Sequence, residues 1–124
     1  MADRPPAVGA EIETVGAASF ETRVLEARGP IAVEFMSYGC SHCRALEPVL
    51  REVAARLDGR ERIARVNVAV DADLAATYGI RVTPTFVMFR DGGEVGRSEG
   101  PHPQVASLTT ILTRPCVSGD GAAW

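Results

Sequence analysis

Lysine is missing altogether from the 124 residues: all 13 basic side chains are arginines, scattered along the chain and outnumbered by 16 acidic groups. Without a basic stripe to follow a phosphate backbone, nucleic acid is not an expected partner. The lack of lysine itself carries no functional reading. Cysteine is also scarce, with three residues. A single domain of this length can bury a real core without disulfide staples. No apolar run approaches the roughly 20 residues that a membrane-spanning helix needs. Met1-Ala-Asp-Arg-Pro-Pro-Ala-Val-Gly-Ala lacks the apolar stretch of a secretory leader. The expectation is a cytoplasmic chain with no membrane partner. A periplasmic chain relieved of its leader would read the same.

What is present centres on Glu34-Phe-Met-Ser-Tyr-Gly-Cys-Ser-His-Cys43. An apolar strand from Ile31 to Met36 enters a short polar turn, and two cysteines separated by two residues then open a helix. Ala45, Leu46, Val49, Leu50, Val53, Ala54 and Leu57 recur at the three- and four-residue spacing of a helix face. Cys40 thereby falls at or near a helix N-cap, where unpaired N–H groups and the positive end of the helix dipole favour an anion. A thiolate is such an anion, so this position lowers a cysteine pKa and activates the sulfur. Cys43, about one turn on, is placed to attack a mixed disulfide formed at Cys40. Two other readings compete. A zinc site would need two further ligands, and the chain offers only His42, His102 and Cys116 with no second paired motif. A pair of inert buried cysteines fits poorly with a Ser-His spacer at a strand–helix junction.

Read in order, residues 1–9 are expected to be a flexible tail, 10–114 one domain and 115–124 a second tail. Glu11–Val15 alternates like a half-exposed strand. Ser19 to Ala27 carries helix-start chemistry and an apolar stripe that Gly29-Pro30 stops. The continuous apolar character of Ile31–Met36 implies helices on both sides of a central strand. The helix from the cysteines runs to about Leu57, crosses Pro48, and ends at Asp58-Gly59. Ile63–Val70 is the next strand. Asp71 or Asp73 caps a short helix closed by Gly79. Strands at Phe86–Arg90 and Glu94–Arg97 flank an Asp91-Gly-Gly turn, and a last helix spans Gln104 to about Leu112. The order β-α-β-α-β-α-β-β-α gives an α/β fold with a mixed sheet between helices.

These residues resemble the thioredoxin superfamily from about Glu11 to Leu112. Cys40 and Cys43 fall on its redox pair, Pro48 on the proline of its active-site helix, and Thr83-Pro84 on its cis-proline loop. Asp91-Gly92 falls on its hairpin turn, and Gly100 on the glycine before its last helix. The resemblance implies the thioredoxin fold, a three-layer α/β/α sandwich. The departures are informative. Met36 and Gly39 replace the two active-site tryptophans, and the spacer is Ser-His. The run Val33-Glu-Phe-Met-Ser-Tyr-Gly-Cys-Ser-His-Cys is more similar to periplasmic disulfide oxidases and isomerases, although the large helical insertion of those oxidases does not fit here.

The expected function is thiol–disulfide exchange with protein disulfides, Cys40 the nucleophile and Cys43 the resolving thiol. A recycling reductase or oxidase is expected as electron partner. No cofactor or metal is expected beyond the Cys40–Cys43 couple, and a monomer is expected. His42 is expected to stabilise the Cys40 thiolate by charge or hydrogen bonding, making the couple more oxidising. Glu34 interrupts an apolar strand and asks for a reason. The resemblance implies a buried acid shuttling a proton to the resolving cysteine, with Arg65 as the nearby cation. It also implies that Thr83 and Pro84 present backbone to a substrate chain, with Tyr38 and Gly39 forming the rim in place of tryptophan. His102 reads as a loop residue, and Cys116 as an idle thiol or an intermolecular one. A redox-inert adaptor of the same fold is the alternative from another class.

Overall fold

The structure is a computed structural model that describes residues 12–58, 60–100 and 109–110. A five-stranded mixed sheet is built from β1 (Ile12–Thr14), β2 (Pro30–Met36), β3 (Arg62–Asn67), β4 (Thr85–Arg90) and β5 (Gly93–Glu99), in the order β1-β3-β2-β4-β5. β1 and β2 run parallel to β3, while β4 runs antiparallel to β2 and to β5. β2 is thus central. Its side chains from Ile31 to Met36 are all buried, as a strand covered on both faces requires.

Alternation along β2 divides the core in two. Ile31, Val33 and Phe35 join Val24, Val66, Val87 and Phe89 on one face, covered by Phe20, Leu74 and Tyr78. Ala32, on the other, packs with Ile63, Phe86 and Met88 against Leu46, Leu50, Val53 and Leu57 of α1 (Ser41–Leu57). α1 runs through Pro48 without interruption and ends at Asp58, whose backbone is left-handed (φ 47°) and whose N–H donates to the Ala54 carbonyl at 3.1 Å.

Several expected boundaries move, each for a local reason. The expected helix at Ser19–Ala27 is a π-helical turn, Glu21–Leu25, in which the Glu26 N–H reaches back five residues to the Glu21 carbonyl. β3 stops at Asn67 instead of Val70. The Asn67 side chain accepts from the Ala69 N–H at 3.0 Å and its carbonyl from Val70 and Asp71, so the chain turns there. The next helix, α2, is Ala72–Thr77 with Asp71 at its N-cap. The Asp71 carboxylate does not cap it, accepting instead from the Ala17 N–H at 3.1 Å. β5 is longer than its apolar pattern suggested because it pairs with β4 along its length, with an irregularity at Met88/Phe89. The Asp91-Gly92 turn is pinned to the start of β2: the Asp91 carboxylate accepts from the Gly29 N–H at 2.7 Å. Gly92 is obligatory, since φ is +85° and an added Cβ would lie 2.3 Å from the Leu25 carbonyl oxygen. Of the expected last helix, only Thr109 and Thr110 are among the described residues, and both are helical. His102 and Cys116 lie outside them.

Candidate active site

The carboxyl end of β2 delivers the chain into the turn Ser37-Tyr38-Gly39-Cys40, closed by the Cys40 N–H donating to the Ser37 carbonyl at 3.1 Å. Cys40 is the N-cap of α1, with extended backbone (φ −86°, ψ 121°). Its sulfur accepts the Cys43 N–H at 3.3 Å, in the place where a serine or aspartate oxygen caps an ordinary helix. Both sulfurs are free thiols. The Thr83 carbonyl lies 3.5 Å from the Cys40 sulfur, which brings the Thr83-Pro84 loop onto the site. That peptide is cis. The loop is held from behind, because the Gly100 N–H donates to the Pro84 carbonyl at 2.8 Å and the Thr85 hydroxyl to the Val82 carbonyl at 2.7 Å.

The two thiols differ in environment. Cys40 is partly exposed, whereas Cys43 is buried at 2 % exposure. Burial works to raise the Cys40 pKa, but hydrogen bonds from Cys43 and from the backbone N–H groups of Cys43 and His42 outweigh it, and the net shift is downward. Burial pushes Cys43 up to about 11, helped by its hydrogen bond to Cys40. One sulfur is prepared to be a thiolate and the other to keep its proton.

Glu34 is buried on the α1 side of β2, in register with Arg65 on β3 and Phe86 on β4. The Arg65 Nη2 lies 3.3 Å from Glu34 Oε1, yet the alignment is poor and that oxygen accepts no hydrogen bond. The same nitrogen is 2.6 Å from Oε1 of Glu47, one turn beyond Cys43 on α1. Desolvation dominates at Glu34, Arg65 only partly offsets it, and the Glu47 charge adds to it, raising its pKa from 4.5 to about 7. An open recess of about 380 Å³ lies alongside, lined by Met36, Tyr38, Cys43, Arg44, Glu47 and Arg65 among others.

The structure therefore brings together Cys40, Cys43, Thr83 and Pro84, and places Glu34 beside Arg65. Tyr38 and Gly39 are exposed on the entry turn; Tyr38 is 56 % exposed and its carbonyl accepts from Arg44 at 3.0 Å. The His42 side chain is exposed, and the backbone N–H of His42 is among the groups that lower the Cys40 pKa. Two residues escaped the sequence reading. Glu47 follows Cys43 by four residues, which sets both on one helix face. Val82, 45 % exposed beside the loop, has no sequence signal of its own. Among the described residues no cluster of three or more His, Cys, Asp and Glu side chains could hold a metal ion.

A mixed sheet presenting an N-cap thiol, a buried partner thiol and a facing proline loop defines a dithiol–disulfide exchange protein. Comparison with known proteins narrows this. A family model for thioredoxin matches residues 11–113. The chain is 38 % identical over 81 residues to the thioredoxin of Pseudomonas aeruginosa, covering 65 % of this chain and 75 % of that one. With thioredoxin 1 of Synechococcus elongatus it shares 33 % identity over 94 residues, 76 % and 88 % of the two chains. Among solved structures, a point mutant of thioredoxin from Halobacterium salinarum superposes with a TM-score of 0.78 at 25 % identity, over 92 % of this chain and 98 % of that one. The chain belongs to the thioredoxin family. It is a thiol–disulfide oxidoreductase acting on protein disulfides through a redox-active cysteine pair.

Proposed function

We propose that Cys40 is the attacking sulfur, Cys43 the resolving thiol and Glu34 the base that takes the Cys43 proton. The Cys40 thiolate attacks a substrate disulfide, forming a mixed disulfide and releasing one substrate thiolate. Cys43 gives its proton to the Glu34 carboxylate, and the resulting thiolate attacks the Cys40 sulfur. The second substrate thiolate leaves, the Cys40–Cys43 bond forms, and two electrons have passed from the protein pair to the substrate. The departing thiolates take protons from water and from Glu34. A base with a pKa near 7 is well matched to this task at neutral pH. The substrate chain lies across the surface made by Tyr38, Gly39, Val82 and the Thr83-Pro84 loop, pairing with loop backbone as an added strand does.

The observation that carries this reading is the capping of α1 by the Cys40 sulfur, with the second sulfur buried behind it. Iodoacetamide should label Cys40 well below the pH at which a free thiol, with a pKa of about 8.5, becomes reactive. Cys43 should stay unlabelled. Cys43→Ser should accumulate a stable mixed disulfide with disulfide-bonded protein substrates, while Cys40→Ser should lose insulin reduction to the background rate. Equal labelling of the two sulfurs overturns the roles, and an inactive wild-type chain returns the adaptor alternative.

A further inference from the structure

Glu34 and Glu47 compete for one cation. Arg65 Nη2 contacts both carboxylates, at 3.3 Å and 2.6 Å, and the shorter, hydrogen-bonded contact goes to Glu47. The second oxygen of Glu47 lies 2.8 Å from Nε of the exposed Arg51 but accepts no hydrogen bond there. The three side chains grade outward: Glu34 and Arg65 are buried, while Glu47 is about a quarter exposed and lines the recess with Cys43. The β4 partner of Glu34 across the sheet is the uncharged Phe86. Among the described residues, the charged groups that act on Glu34 are Arg65 from β3 and the Glu47 carboxylate from α1, with Cys43 four residues before Glu47 on the same helix face.

We propose that Glu47 is a positioning residue for the exchange reaction: by holding the Arg65 guanidinium, it leaves the buried Glu34 carboxyl without a full counter-ion and so able to carry a proton to and from Cys43. A buried carboxylate with Arg65 to itself would be firmly ionised and a poor proton acceptor. Sharing the guanidinium prevents this, and the Glu47 charge acts on Glu34 in the same sense. Both oxygens touch one nitrogen, so they lie within about 6 Å of each other, where like charges interact appreciably even at a high effective dielectric. Glu47 touches neither sulfur in this scheme. It acts through Arg65, and the inference rests on Glu34 serving as the proton acceptor.

The test is a carbon-13 NMR titration of the Glu34 carboxyl in the full-length reduced protein, with and without Glu47→Gln. Glutamine keeps the size and removes the charge. The Glu34 midpoint should fall by about one pH unit, and the pH at which mixed-disulfide resolution becomes fast should fall with it. Glu47→Asp, which keeps a charge near Arg65, should return the midpoint toward that of the parent. Arg51→Gln should leave Arg65 shared and move the midpoint little. An unchanged or raised midpoint in Glu47→Gln overturns the proposal. The proton-acceptor role is tested separately by Glu34→Gln: if its resolution step keeps the parent pH profile, that role fails even where the NMR midpoint responds to Glu47.

Discussion

The two faces of the central sheet are built from alternate residues of the same strands, yet one is apolar through its centre and the other is graded. On the face away from α1, Ile31, Val33 and Phe35 meet Phe20, Tyr78 and Phe89, whose rings contact one another at centroid distances of 5.4–5.9 Å. Under α1 the core starts in the same way, with Ala32, Ile63, Phe86 and Met88 against leucines and valines. Two residues further along β2, the same row reaches Glu34, and α1 answers with Glu47 and Cys43. The dry face supplies burial, while the graded face accepts an unsatisfied carboxyl at a cost in stability. Stability and reactivity should therefore be open to separate damage.

The harshest way to break this contrast is Phe35→Ala. Phe35 is fully buried and packs against Tyr78 at 6.0 Å. Removing the ring should cost about 3–5 kcal/mol, measured by denaturant unfolding. The pH dependence of Cys40 alkylation in the remaining folded protein should be unchanged. A shift there comparable to the loss in stability would show that the two faces are not independent.

Glu34→Gln probes the other face, and its stability effect has the opposite sign. The folded-state pKa of Glu34, about 7, lies above its ordinary value of 4.5. Between these values the folded chain holds more protons than the unfolded one, so stability falls as pH rises. The stabilisation from the buried, protonated carboxyl is complete below pH 4.5 and lost as pH rises through about 7, a change of about 3 kcal/mol. Glutamine has no charge to bury. The variant should therefore flatten this slope and be more stable than the parent at pH of about 8, by up to the same amount. Thermal unfolding across the range from about pH 4 to 8 reads it directly, and a variant destabilised at the alkaline end would mean that the Arg65 pairing outweighs desolvation.

How far the sequence revealed this arrangement depended on whether a signal was local. β2, α1 and the β4–β5 hairpin were legible because apolar runs, helical spacing and an Asp-Gly turn are written in neighbouring residues. Cys40 and Cys43 could be placed on a helix start for the same reason. Tertiary partners decided the rest. Asp71 reads as a helix cap but serves Ala17, 54 positions away. Arg65 was legible as a cation opposite Glu34 only through the family resemblance. Its stronger engagement with Glu47 was hidden because that contact depends on how α1 lies across β3. The chemistry of the two thiols was similarly divided: helix position signalled the activation of Cys40, but the depth of Cys43 only emerged from packing.

The smallest expected effect concerns the spacer, which lies at the exposed end of the graded face. An imidazole in direct contact with the Cys40 sulfur would stabilise the thiolate, found only in the reduced protein, and so raise the reduction potential. In the structure the ring is exposed, the Cys43 N–H donates to the sulfur at 3.3 Å, and the backbone N–H of His42 adds to the lowering of the Cys40 pKa. Two substitutions separate these contributions. His42→Ala keeps the N–H and should move the potential by less than about 10 mV, because exposed groups interact weakly through water. His42→Pro removes the donor. A hydrogen bond to a charged group contributes about 1.5–3 kcal/mol, and for a two-electron couple about 30 mV corresponds to 1.4 kcal/mol, so the potential should fall by some tens of millivolts. The Cys40 pKa should rise in step. Glutathione redox titration with thiolate absorbance measures both. Equal shifts in the two variants would assign the effect to the ring, and with it the more oxidising character expected of the Ser-His spacer. A shift in proline alone assigns it to the backbone, so that any spacer residue with an N–H at position 42 would serve as well as histidine.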